Sequence, residues 1–410
     1  MRILNIIRRL AFDEWGGTEA TVWNSSKKFK ELGNEIEILA TTALCKIKRE
    51  TRDALEIRRF NYFYPHFFLS QKNSLALDKK GGSPFSLSLY RYLKRTNCDL
   101  IHSHALGRLA KVALKAAQVK NVPLILSFHG GNYDVPPSEL EEMLKPLKGS
   151  IGYGKLIEWI CGLEKDVVEQ ADGVVCVGKN ELDLFQKKFP KKKAAYIPNG
   201  VDTSLFNHIP QTSFREAYSI PKNKKLLLCV SRIDYQKNQR VLVELIKNLV
   251  TSGEDVHCAI IGFITSFTYF EKLKKDISQW ELENRFTLIE GLPPQSELLI
   301  AAYKEADIFV LPSIHEPFGI VVLEAWSAKL PIIASAVGGL KTLIRNGENG
   351  FLFDTSNPKS MTSAYFNALF KKNQLIEHAF REVVNDYSWD MMAARQLQFY
   401  EEVIHEFKKK

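Results

Sequence analysis

Nowhere in the chain do about 18 apolar residues follow one another, the length a membrane-crossing helix needs, so no helical span is expected. No C-x-x-C pair occurs: the six cysteines (Cys45, Cys98, Cys161, Cys176, Cys229, Cys258) are scattered, mostly inside apolar runs. That excludes a zinc ribbon or a dithiol redox site and predicts reduced, buried thiols in a cytoplasmic protein. Asp-x-Asp is absent, which removes the usual carboxylate pair for a catalytic metal, so no metal site is expected. G-x-G-x-x-G and Gly-Lys-Ser/Thr are also missing, which excludes a dinucleotide fingerprint and a Walker A loop. There is no short-period repeat and no low-complexity tract. The opening "MRILNIIRRLAF" is too short an apolar run for a signal peptide, is broken by Arg8 and Arg9, and reads as a strand.

What is present is a chain of 410 residues, 45% hydrophobic and 25% charged, with a net charge of +9. The length suits two domains, each able to bury its own core. The charge admits nucleic acid, an anionic membrane surface or phosphorylated ligands, and alone does not choose among them.

Apolar, β-branched runs alternate with amphipathic segments, the pattern of parallel sheets flanked by helices. Candidate strands are "RILNII", "EIEILA", "LEIRRF", "DLIHSH", "PLILSFHG", "GVVCVG" and "AAYIPNG". A second set follows with "LLLCVSR", "VHCAIIG", "RFTLIEG", "IFVLPS", "PIIASAV" and "GFLFD". Between the sets, "VDTSLFNHIPQTSFREAYSIPKNKK" has prolines and no sustained period, and reads as a linker. The expected fold is α/β, with two doubly wound, Rossmann-like domains facing across a cleft. Their bounds are 1–203 and 204–387, followed by a C-terminal helix at 388–410 that packs back toward the first domain.

In such sheets ligands bind beyond the carboxyl ends of the strands, and the unusual polar residues fall there. In "SRIDYQKNQ", Arg232 ends a strand and Lys237 opens the next helix, so two cations stand beside free helix amides, a setting for a diphosphate. A solvated basic turn is the plainer alternative. In "AFDEWGGTEATVW", Gly16 and Gly17 allow close backbone approach to a phosphate or sugar, or simply form a tight turn. His129 and Gly130 follow a strongly apolar strand; His102 and His104 alternate on another and are expected to point to opposite faces.

In "SIHEPFGIVVLEA", Glu316 is expected in the loop after a strand, Gly319 to Ala328 form the following helix, and Phe318, Gly319 and Ile320 offer backbone amides. Glu324 lies one turn further in, in an almost wholly apolar run. A carboxylate there can accept two hydrogen bonds from a vicinal diol such as ribose. The alternative is a helix cap plus one solvent-facing Glu.

Taken together, Glu316-x7-Glu324, the Arg-x4-Lys of "RIDYQK", the N-terminal "GGTE", "NGVD" at 199–202 and "NGENGFLF" at 346–353 resemble the retaining GT-B glycosyltransferases of family 4, in the family's order over nearly the whole chain. The resemblance implies a nucleotide-sugar donor, a UDP- or GDP-sugar, held by the second domain, and an acceptor held by the first. No cofactor is implied. Arg232 and Lys237 would bind the diphosphate, Glu316 the sugar hydroxyls, the Phe318–Ile320 amides the sugar and phosphate, and Glu324 the ribose. His129 matches the active-site His, Gly16 and Gly17 the glycine loop, and Gly130 a weaker acceptor contact. Two departures stand out: Ser231 where the family often has Gly, and Gly130 where it often has Asp.

The resemblance further implies transfer to a hydroxyl of a glycan, glycolipid or small sugar, in cell-envelope polysaccharide, lipopolysaccharide or glycolipid biosynthesis. Other GT-B enzymes, an epimerase or a phosphorylase, and a non-enzymatic anionic-surface module are the competing readings. The aromatic "FNYFYPHFF" and basic "LKPLKGSIGYGKLIEWI" segments are compatible with peripheral contact at the inner face of a membrane, or with ordinary core packing.

Overall fold

The computed structural model describes residues 1–12, 16–130, 141 and 144–409. It forms two compact units, Met1–Pro198 with Met392–Lys410, and Asn199–Met391.

The first unit holds β1 (Arg2–Ile6), β2 (Glu35–Thr41), β3 (Arg49–Arg52), β4 (Leu55–Phe60), β5 (His66–Phe67), β6 (Leu100–Ser103), β7 (Leu124–Phe128), β8 (Ile151–Gly152), β9 (Gly173–Cys176) and β10 (Ala194–Tyr196). Eight of these form one sheet in the order β10-β9-β7-β6-β1-β2-β4-β3, while β5 and β8 pair separately. All neighbours in the large sheet are parallel except β3, which returns antiparallel along β4. The sequence reading missed β3, β5 and β8. β3 is a polar edge strand, "RETR", and the other two have two residues each, so none carries an apolar period.

The second unit holds β11 (Lys225–Val230), β12 (Val256–Ile261), β13 (Phe286–Ile289), β14 (Ile308–Leu311), β15 (Ile332–Ser335) and β16 (Phe351–Phe353). Their order, β13-β12-β11-β14-β15-β16, is the doubly wound arrangement, with strands parallel throughout. Alternate residues of β11 enter different cores: Leu226 and Leu228 pack with Phe309 and Leu311, Leu227 and Cys229 with Ile308 and Val310. Helices cover both faces, which is why these strands read as unbroken apolar runs. Each such side chain, removed wholly from water, contributes roughly 1.5–3 kcal/mol of transfer free energy.

Two expectations are corrected here. The segment read as a linker is structured, with helices Thr203–Asn207 and Phe214–Ala217, and Phe206, Phe214 and Ile220 are buried in the core of the second unit. The cysteines are all free, but only Cys176, Cys229 and Cys258 are buried; the other three are partly exposed. The C-terminal helix runs Trp389–Phe407. Its Phe399 and Val403 press on Gly173 in β9, where an added methyl would lie 3.1 and 2.9 Å from their side chains. Among the described residues no helix is long and apolar enough to cross a membrane.

Candidate functional site

In the second unit the strand order reverses between β11 and β14, the topological switch point where doubly wound sheets bind ligands. The loops leaving these two strands carry Arg232, Lys237 and Glu316. Lys237 is not at a helix start as expected: the next helix begins at Arg240, and Lys237 lies in the preceding turn, where its amide donates to Asp234 Oδ1 at 3.1 Å. That turn aims its side chain at the β14 loop, and Nζ donates to Glu316 Oε2 at 2.6 Å. Both side chains are largely buried, 13% and 10% exposed, so the pair is far from a solvated surface bridge. Arg232 is much more open, 45% exposed, held by Gln236 Oε1 at 2.6 Å and 3.4 Å from Asp234 Oδ2.

Gln236 joins the two loops: its side-chain amide donates to the His315 carbonyl at 3.2 Å, and its carbonyl accepts from the Ile314 amide at 2.8 Å. Ser231, the departure from the family pattern, accepts from Gln239 Nε2 at 2.9 Å. The same Nε2 donates to the Arg232 carbonyl at 2.6 Å, so this serine helps hold the turn. Beneath Glu316 lie Gly338 and Gly339, which the sequence reading passed over. The Gly339 amide donates to the Glu316 carbonyl at 2.8 Å. A methyl on Gly339 would lie 2.0 Å from the Pro317 carbonyl, and one on Gly338, where φ is +45°, 2.4 Å from that of Glu316. A Gly-Gly directly after the β15 run was the available signal.

Gly319, at φ +97°, precedes the helix Ile320–Ser327, so Phe318, Gly319 and Ile320 do stand at a helix start, where the first amides lack intrahelical partners. Glu324 is partly buried on that helix and accepts from Tyr303 Oη at 2.7 Å. Burial raises its carboxyl to about 6, with the Tyr303 hydrogen bond opposing the shift. Tyr303 was not foreseen: it lies on the helix Glu297–Glu305 and reads as core in sequence.

In the first unit the order reverses between β1 and β6. Gly16 caps the helix Gly17–Glu31, and a methyl there would lie 2.5 Å from Glu19 Oε2, whose other oxygen accepts from Arg9 Nε at 2.8 Å. A side chain at position 16 would therefore displace the Glu19 carboxylate that pairs with Arg9. Asp13, Glu14 and Trp15 of the same motif lie outside the described residues, as does Gly131. The Gly130 amide donates to Glu181 Oε2 at 3.1 Å.

The histidines differ from the reading. Positions two apart along a strand share a face, so the expected opposition does not arise, and the His102 and His104 rings lie 3.9 Å apart on the same side. His104 Nδ1 is 3.0 Å from His129 Nε2, and His102 bridges Tyr400 Oη at 2.5 Å and Ser127 Oγ at 2.7 Å. Burial pushes all three down: His102 to about 3, His129 to about 4, and His104 well below its ordinary value, helped by its two neighbours. All three are neutral near pH 7. Among the described residues no three His, Cys, Asp or Glu side chains form a metal-holding group.

Comparison with known proteins agrees with this architecture. Residues 15–205 match the family model described as Glycosyltransferase Family 4, and residues 210–382 match Glycosyl transferases group 1. An uncharacterized glycosyltransferase of Methanocaldococcus jannaschii is 28% identical over 52% of this chain and 54% of its own length. A sulfoquinovosyl transferase of Arabidopsis thaliana is 25% identical over 95% of this chain and 71% of its own. Among solved structures, a glycosyltransferase from Rickettsia africae superposes with a TM-score of 0.73 at 22% identity, over 98% of both chains. Anabaena HepE, crystallised with UDP and glucose, gives 0.71 at 16% identity over 98% of this chain and all of its own.

The fold is that of the GT-B glycosyltransferases, and the two family models define the chain as a glycosyltransferase. The chain belongs to glycosyltransferase family 4.

Proposed function

We propose that the protein is a retaining, metal-independent enzyme that moves a sugar from a UDP- or GDP-sugar to a hydroxyl of a glycan, glycolipid or small sugar, in cell-envelope polysaccharide or glycolipid synthesis. The observation that carries the reading is the largely buried Lys237–Glu316 pair at the switch point, with Arg232 in the same turn. Cleaving a sugar–phosphate bond builds negative charge on the leaving diphosphate, and Arg232 and Lys237 stabilise it. Lys237 has three donors, so its contact with Glu316 leaves two for phosphate oxygens. The Phe318–Ile320 amides add further donors, and Glu316 accepts from the sugar hydroxyls. Glu324, steadied by Tyr303, accepts from the ribose diol. Retention follows from attack on the face the diphosphate leaves, with a phosphate oxygen taking the acceptor proton, so no protein nucleophile is assigned. In the first unit the family resemblance assigns His129, Gly16 and Gly17 to substrate binding and, with a weaker match, Gly130 to the acceptor. The UDP held by HepE supports the donor class.

A panel of UDP-, GDP- and ADP-sugars, read by nucleotide release, tests this. Glu316→Ala should lower turnover severely, while Glu324→Ala should mainly weaken donor binding. Near-normal kinetics in both variants would refute the site.

Peripheral docking at an anionic membrane is part of the proposal. Phe67 (55% exposed), Phe68 (84%), Ile151 (61%) and Trp159 (67%) lie open, where core packing would have hidden them, and Lys148 and Lys155 of the same basic segment as Ile151 and Trp159 are exposed as well. β5 and β8 bring Phe67 opposite Ile151. Such apolar and cationic groups suit a bilayer interface. Flotation with phosphatidylglycerol vesicles should exceed flotation with phosphatidylcholine alone, and fall in Trp159→Ser; indifference to anionic lipid would count against docking.

A further inference from the structure

The contact between His104 Nδ1 and His129 Nε2, 3.0 Å long, holds one proton. Two N–H groups would collide there, and two bare nitrogens would repel. If His129 supplied the proton, His104 would carry its own on Nε2, which is buried with no partner among the described residues. A buried N–H left without an acceptor costs the desolvation of that donor. The reverse assignment leaves only a bare ring nitrogen in that place.

We infer that His104 is a positioning residue: its Nδ1–H donates to His129 Nε2 and holds His129 as the neutral tautomer protonated on Nδ1. His129 then presents Nδ1–H as its one remaining donor, and that atom has no partner among the described residues. The ring is partly exposed, so the donor is available to a hydroxyl of a bound sugar.

The arrangement is supported from behind. His102 lies against the His104 ring, with centroids 3.9 Å apart, and is itself pinned on both nitrogens by Tyr400 and Ser127. Tyr400 in turn accepts from Gln396 Nε2 at 2.9 Å. The C-terminal helix thus reaches the histidine at the end of β7 through two intervening rings, which gives that helix a role beyond covering the sheet.

This inference rests on the reading that His129 contacts substrate, and the experiment separates the two. Long-range ¹H–¹⁵N spectra of the histidine-labelled full chain should show His129 protonated on Nδ1 only; protonation on Nε2 would overturn the assignment. In His104→Asn the side-chain amide lies about where Nδ1–H lay, so kcat should stay within about threefold of the parent. In His104→Leu kcat should fall tenfold or more, with the donor KM little changed and His129 showing a tautomer mixture. Equal kinetics in the Asn and Leu variants would refute positioning. Full turnover in His129→Ala would instead sink the reading of His129 as a substrate contact, whatever the spectra show.

Discussion

The Lys237–Glu316 pair permits a prediction in which stability and ligand affinity respond differently to the same two substitutions. Breaking a buried ion pair from one side strands the other charge, at a cost of about 3–5 kcal/mol. Here the partners keep 13% and 10% exposure, so some hydration relieves the stranded group and about 2–3 kcal/mol is expected for Lys237→Met or Glu316→Gln alone. The double variant strands nothing and should cost about 1 kcal/mol, a coupling of roughly 3–5 kcal/mol between contacting residues. Amide hydrogen exchange of β11 and β14 in the full chain reads the opening free energy of that sheet. UDP binding, by calorimetry, should then separate the singles: Lys237→Met weakens it at least about tenfold, while Glu316→Gln leaves it unchanged or tightens it, because the lysine is no longer neutralised. Additive stability effects, or equal losses of UDP affinity, would refute the claim that this pair forms part of a diphosphate site.

Tyr303→Phe removes the hydrogen bond that restrains Glu324, so its carboxyl should titrate above its present value of about 6 and donor KM should rise as pH falls from 7.5 to 6.5; an unchanged pH profile would dissociate Glu324 from the donor. Desolvation of the three clustered histidines sets an acid limit on the first unit. His129 titrates at about 4 in the folded chain and near 6.5 when unfolded, so the unfolded chain binds protons first. Stability is therefore full above about pH 6.5 and lost as pH falls toward 4, by about 2 kcal/mol at pH 5 from this ring. His129→Asn should show a shallower slope in chemical denaturation across that window, and an identical slope would contradict the burial assignment. Gly339→Ala should cost roughly 1–3 kcal/mol and weaken UDP binding, since its methyl would strike the Pro317 carbonyl beneath Glu316; wild-type UDP affinity would show that the loop tolerates the displacement.

The strands of both large sheets were legible in the sequence, β3 apart, because a parallel strand covered on both faces must be continuously apolar, as "LLLCV" and "IFVL" are. The placing of Arg232, Lys237, Glu316 and His129 just beyond strand ends was legible for a related reason: chain order alone puts them at carboxyl ends, where such sheets bind ligands. Tertiary structure decided what those residues touch. Lys237 and Glu316 are 79 positions apart and meet only because β11 and β14 are neighbours in the sheet. Tyr303 reaches Glu324, and His104 reaches His129, through strand order and helix packing that no local period encodes. The glycines under Pro317 and the buried aromatics of the supposed linker have the same origin. Periodicity reports which face of an element is dry; it does not report which element lies against it, and every pairing in the candidate site is a statement of that second kind.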